Sequence, residues 1–194
     1  MATASDGAAP AAVLAGEIVV DRVDAPGDPV PTFRARAVVD APPAVVWDLV
    51  SHCAGYATLM PRIISSQERK RIGDLVECEV TVELPFPLPN LTSVTTATHR
   101  EGSTKGRYSR TWTLVSGDYE VNEGAWIIEP VDGGKRSLAT YRVRAKPNLP
   151  VPASLASLFQ QGPLVESMRA VRRAASQHPR PSSADGTSPP NQPP

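Results

Sequence analysis

Few side chains in this sequence stand where they could do covalent or acid–base chemistry. His52 and His99 are the histidines of the folded region, but a histidine base needs a positioned partner, and neither belongs to a readable Ser/His/Asp or Cys/His arrangement. Glu77, Glu79 and Glu83 could be paired carboxylates. Their alternate spacing on a strand instead puts them on one face, opposite Val76, Cys78, Val80, Val82 and Leu84, with Arg69 and Arg71 near enough to screen them, so they read as a solvated face. The cysteines, Cys53 and Cys78, form no CxxC or Cys/His cluster with metal-ligand spacing. In their apolar surroundings they are expected to be buried free thiols. Neither a metal nor a cofactor is expected.

What remains is recognition. The row Val76, Cys78, Val80 and Val82 is the clearest inward face in the chain, and the following strands suggest others: Tyr108, Arg110, Trp112 and Leu114; Gly124, Trp126 and Ile128; Ala139, Tyr141, Val143 and Ala145. From these come the candidate ligand-binding residues Val76, Cys78, Val80, Val82, Tyr108 and Arg110. Trp112, Trp126, Tyr141 and Val143 join them, with Leu158 and Phe159 on the last helix. The aromatic rings either stack on a flat ligand or fill the core. An inward Arg110 is a costly buried charge unless paired or facing a polar ligand group; a strand edge in water is the favoured placement. The Thr-rich run Leu91 to Arg100 gives no orientation. In the loop Pro85 to Pro89, Phe86 and Leu88 form a gate, a membrane-touching tip or ordinary loop packing.

These residues need a frame, and the turn residues supply one. TFRARAVVD, Thr32 to Asp40, alternates as a first strand and stops at Pro42-Pro43. Asp40 is placed to cap the next helix, whose apolar face is Val45, Val46, Leu49, Val50 and Cys53. Gly55 ends it, and Tyr56 to Met60 makes a second short turn before Pro61. Six strands follow, Ile63–Ile72, Leu75–Leu84, Leu91–Arg100, Arg107–Val115, Tyr119–Pro130 and Arg136–Ala145, joined by tight turns as an antiparallel meander. Pro152 to about Ser176 is helical by pattern, with a kink or restart at Gly162-Pro163. The division of the chain is therefore a flexible N-terminus over 1–15, an accessory strand and turn over 16–31, the main domain over 32–176, and a disordered Pro/Ser-rich tail over 177–194.

The 194 residues carry 20 basic and 20 acidic side chains, a formal net charge of zero. Such balance argues against a nucleic-acid partner, which a basic surface would attract. No apolar run approaches the roughly 20 residues that span a bilayer, and a cytoplasmic protein is expected.

The order of elements, with VVDAPPAVVWDLVSHCAGYATLMPRI and the later GAWIIEP and YRVRAKPNLPVPASL, resembles the SRPBCC superfamily, which includes START lipid-transfer domains, the major birch pollen allergen, polyketide cyclases and coenzyme Q-binding proteins. The similarity covers about Thr32 to Ala175. It implies an α+β helix-grip fold, a curved antiparallel sheet of about seven strands wrapped around a long C-terminal helix, with two short helices after the first strand bracing a cavity. The function so implied is binding or transport of a hydrophobic small molecule (a lipid, isoprenoid quinone or polyketide-like compound), with transient membrane contact during pick-up. A polyketide aromatase/cyclase is the alternative, and it asks for polar groups inside the cavity.

Overall fold

The computed structural model describes residues 9–24, 26–102, 104–150 and 161–178. After a helical turn α1 (Ala11–Leu14), strands β1 (Val19–Arg22) and β2 (Thr32–Val39) lead into α2 (Pro43–Ser51), a 3-10 turn (Cys53–Gly55) and α3 (Tyr56–Leu59). The meander follows as β3 (Ile63–Ile72), β4 (Leu75–Val82), β5 (Leu91–Glu101), β6 (Tyr108–Gly117), β7 (Tyr119–Val131) and β8 (Arg136–Pro147), and α4 is described over Gln161–Gln177. The strands make one eight-stranded sheet in the order β1-β2-β8-β7-β6-β5-β4-β3, antiparallel throughout. This is the α+β helix-grip arrangement. The accessory stretch adds the eighth strand, because Val19–Arg22 pairs along the free edge of β2.

The order explains the grip. Strand β2 lies beside β8 whereas β3 forms the far edge, so residues 40–62 must carry the chain across one end of the sheet. Two prolines set the crossing: Pro42 occupies the N-cap position and Pro43 the first helical residue, where a missing N–H leaves nothing unsatisfied. Asp40 does not cap the helix, as had been expected, since α2 begins beyond its reach and has no side-chain cap. The turn is held instead by the Ser137 hydroxyl, which donates to the Ala41 carbonyl at 2.6 Å. The Tyr56 hydroxyl donates to the Val50 carbonyl at 2.5 Å and ties α3 back to α2.

Two further expectations need correction. The N-terminal stretch is not loose throughout, because α1 buries Val13 completely. The cysteines are buried, but they are not free thiols: Cys53 and Cys78 form a disulfide with their Cα atoms 6.3 Å apart. Helix α2 stops at Ser51, and the 3-10 turn that follows packs against β3 and β4. Cys53 is thereby turned onto a strand 25 residues away, a juxtaposition that one-dimensional spacing does not carry.

Helix α4 closes the sheet. Leu164, Met168, Val171 and Ala175 recur at four- and three-residue steps and are all buried, each large apolar side chain contributing roughly 1.5–3 kcal/mol. Arg172 donates through Nε to the Val38 carbonyl at 2.9 Å, fastening the helix to β2; burial disfavours its charge. The upstream half of the expected helix, with Leu158 and Phe159 and the approach to Gly162-Pro163, lies outside the described residues.

Candidate ligand-binding site

The sheet and α4 do not meet along their whole length. Between them lies a hollow of about 210 Å³ walled by β4 to β8, by the grip residues Tyr56 and Met60, and by Leu164 and Ser167 of α4. Pro61, Arg62 and Ile63 also border it. Strand β4 contributes Val80 and Val82, and Leu84 continues that row.

Register across the sheet places the aromatic and charged residues. His99, Arg110, Trp126 and Tyr141 stand opposite one another in succession on β5, β6, β7 and β8, so they share one face. The Trp126 and Tyr141 rings stack, with centroids 4.1 Å apart and planes 9° from parallel, and Trp112 leans on Tyr141 at 6.1 Å. The Trp112 ring lies over Gly124, where a Cβ would sit 2.3 Å from one of its carbons. Its indole N–H donates to Asn122 Oδ1 at 3.2 Å, and Asn122 Nδ2 donates to the Ser93 hydroxyl at 3.0 Å. Burial pushes the Tyr141 phenol up, with only partial relief from Arg110, so the hydroxyl keeps its proton. Tyr119, also on the wall, is pushed up to about 12 by burial and then by Asp118.

Arg110 is not at a strand edge in water; it is 3% exposed and faces the hollow. Alternation along β6 puts it on the face of Trp112, between the sheet and the grip. One Nη donates to the Cys78 sulfur at 3.3 Å, and the guanidinium carbon lies 5.6 Å and 5.4 Å from the Tyr56 and Trp112 ring centres. Nε has no acceptor, and among the described residues no carboxylate pairs with this cation.

Of the residues singled out from sequence, Val80, Val82, Arg110, Trp112, Trp126, Tyr141 and Val143 come together around this space. Val76 and Cys78 do not border it; they are buried in the core farther along β4, and Cys78 is held in the disulfide. Tyr108 does not border it either, because its ring stacks on Trp47 of α2 at 5.3 Å. Sequence reasoning missed Ser93 and Thr95, which face inward because they stand opposite Val80 and Cys78. It also missed Asn122, for which no one-strand pattern gave a signal. Tyr56 and Met60 belonged to the short helices already seen as a brace, and only contact with the sheet shows that they line the space.

His99 is outside the hollow, edge-on to Trp47 at 5.1 Å, with Nε2 buried and unpartnered. Burial first, then the charges of Arg110, Arg71 and His52, hold its pKa down to about 4, with Glu68 pulling weakly the other way. The folded state therefore keeps His99 neutral where the unfolded chain protonates it near 6.5. Its stabilising effect is full above pH 6.5 and is lost as pH falls from there toward 4. Allowing for partial solvent screening, the loss is about 2 kcal/mol. Urea midpoints measured at pH 7 and pH 4.5 should show His99→Gln losing less stability on acidification than the parent; equal losses would remove His99 from the acid response.

An antiparallel sheet gripped by short helices, closed by a long helix and hollow between, defines a ligand-container architecture. The family described as polyketide cyclase/dehydrase and lipid transport matches residues 39–172, and the chain belongs to that family. No curated protein matches the sequence. Solved structures show the same fold at low identity. A STAR-related lipid transfer protein from Xanthomonas axonopodis aligns with TM-score 0.71 and 19% identity over 82% of this chain and 94% of its own. The human StAR-related lipid transfer protein 5 gives 0.70 and 13% over 84% and 83%. The Zhui aromatase/cyclase from a Streptomyces species gives 0.52 and 12% over 76% and 87%.

Proposed function

We infer that the protein binds a hydrophobic small molecule reversibly in the hollow beneath α4. The observation that carries this reading is the wall itself, an unfilled space with an apolar side of Val80, Val82, Leu84, Val143 and Leu164 and a small set of polar groups facing it. Binding is favoured over turnover because, among the described residues of the wall, there is no histidine or carboxylate to serve as a base near neutral pH. The Tyr141 hydroxyl holds its proton more firmly than usual, and His99 lies outside the hollow. A cyclase reading draws on the polar groups Arg110, Ser93, Thr95 and Asn122 on the inner wall, but these can orient a carbonyl without moving a proton.

Three features bear on where the ligand is met. Phe86 is 97% exposed, two residues beyond Leu84 of the wall, and is the side chain through which the loop would touch a lipid surface. Among the described residues no helix is long and apolar enough to cross a membrane. A disulfide persists where surroundings are oxidising, which weighs against the cytoplasmic placement expected from sequence.

The test is fluorescence titration with the neutral probe N-phenyl-1-naphthylamine. Val143→Trp fills the space and should weaken binding at least tenfold, whereas Thr113→Trp, on the exposed face of β6, should leave it unchanged. Saturable binding unaffected by Val143→Trp would place the probe elsewhere, and absence of saturable binding would sink the container reading.

A further inference from the structure

We propose that the hollow selects an amphiphile with a single carboxylate end, seated on Arg110, with its apolar remainder running along Val82 and Leu84 toward the rim. This rests on the container reading above. A guanidinium taken out of water needs a partner that returns what hydration supplied. The described residues give Arg110 only a disulfide sulfur and two aromatic faces, leave its Nε without an acceptor, and provide no carboxylate. Sulfur is a weak acceptor, and cation–π attraction offsets only part of the desolvation. The missing charge is therefore one that a ligand can bring.

The wall supports the same sign. Among the described residues bordering the hollow, the charged ones are Arg110 within and Arg62 beside the grip, and none is acidic. Arg62 is exposed and borders the space, and among the described residues it makes no ion pair, so it adds a positive potential that draws anions toward the hollow. A carboxylate is the smallest anionic end that can take two guanidinium N–H groups at once.

Size narrows the class. An apolar cavity of about 150 Å³ accommodates benzene, so one of about 210 Å³ takes a short alkyl chain or one substituted ring.

Isothermal titration of the full chain with octanoate, 1-octanol and octylamine tests this. Octanoate is expected to bind at least tenfold more tightly than either of the others. Arg110→Met should lower octanoate affinity at least tenfold while retaining that for 1-octanol, and Arg110→Lys, which keeps the charge but not the fork, should retain a smaller carboxylate preference. If Arg110→Met does not fold, the three-ligand comparison on the parent and on Arg110→Lys decides. The proposal is overturned if 1-octanol equals octanoate on the parent, or if a folded Arg110→Met keeps the full preference. Binding of N-phenyl-1-naphthylamine without octanoate preference would end the anion selectivity and leave the container standing. Failure of every probe would end both.

Discussion

Gly124→Ala is expected to destabilise the protein by about 3 kcal/mol, at the upper end of what inserting one methyl into a packed interior usually costs. The added carbon would lie 2.2 Å from the Arg142 carbonyl oxygen and 2.3 and 2.6 Å from two carbons of the Trp112 ring. The carbonyl belongs to β8, which pairs with β7 along nearly its whole length, so it cannot retreat without opening the ladder. The ring can move only by breaking its hydrogen bond to Asn122. Relief at Trp112 would also reshape the hollow, so on the proposed function loss of N-phenyl-1-naphthylamine affinity should accompany the loss of stability. Gly55→Ala is the matched control, with no atom within 4 Å of its added carbon and an ordinary φ, and should be neutral or slightly stabilising. Urea midpoints within 0.5 kcal/mol of the parent for Gly124→Ala would show that the β7–Trp112 contact is looser than described.

Removing the disulfide should have a comparable effect. Closing a loop of 25 residues restricts the unfolded chain by about 3.5 kcal/mol in the chain-entropy treatment. Cys53→Ala/Cys78→Ala loses that restriction, and it also deprives Arg110 of the sulfur at 3.3 Å. Unfolding in urea without reductant should show the double variant about 3 kcal/mol less stable than the parent. Alkylation of the denatured, unreduced parent followed by intact-mass measurement checks the premise: no modified cysteine is expected, and two modified cysteines would mean that the bond is absent. The effect should be concentrated at the grip, because the bond joins the turn after α2 to β4. Local hydrogen exchange over residues 52–62 should therefore rise in the variant more than exchange in β7 and β8.

Much of this architecture can be read along the chain because it follows from local chemistry. Proline pairs and glycine turns mark where ladders and helices stop, and the strict alternation from Val76 to Val82 separates inner from outer face without reference to any neighbour. The Pro42-Pro43 stop, the short helices and the six-strand meander all rest on such signals. Where threonine and serine dominate a strand and its apolar residues fall on both faces, as with Val94 and Ala97 between Thr92 and Thr98, alternation has little contrast, and pairing with β4 decides that Ser93 and Thr95 face inward.

Arg110, Cys53 and Tyr108 show what local chemistry leaves open. A charged residue in a strand has water as its default, and Arg110 became an interior cation only because the grip residue Tyr56 and the Trp112 ring close over it. Cys53 and Cys78 looked like independent thiols until the crossing of residues 40–62 laid one on the other. Tyr108 shares the inward face with Trp112, yet Trp47 of α2 covers it and removes it from the hollow. Sequence by itself determined the strands of the meander, the two short helices before it, their order and the faces of the strongly alternating strands, since those depend on neighbours a few positions away. The tertiary structure alone decided which inward side chains border empty space, which are packed solid and which charge lacks a partner, because these depend on contacts between residues far apart in the chain.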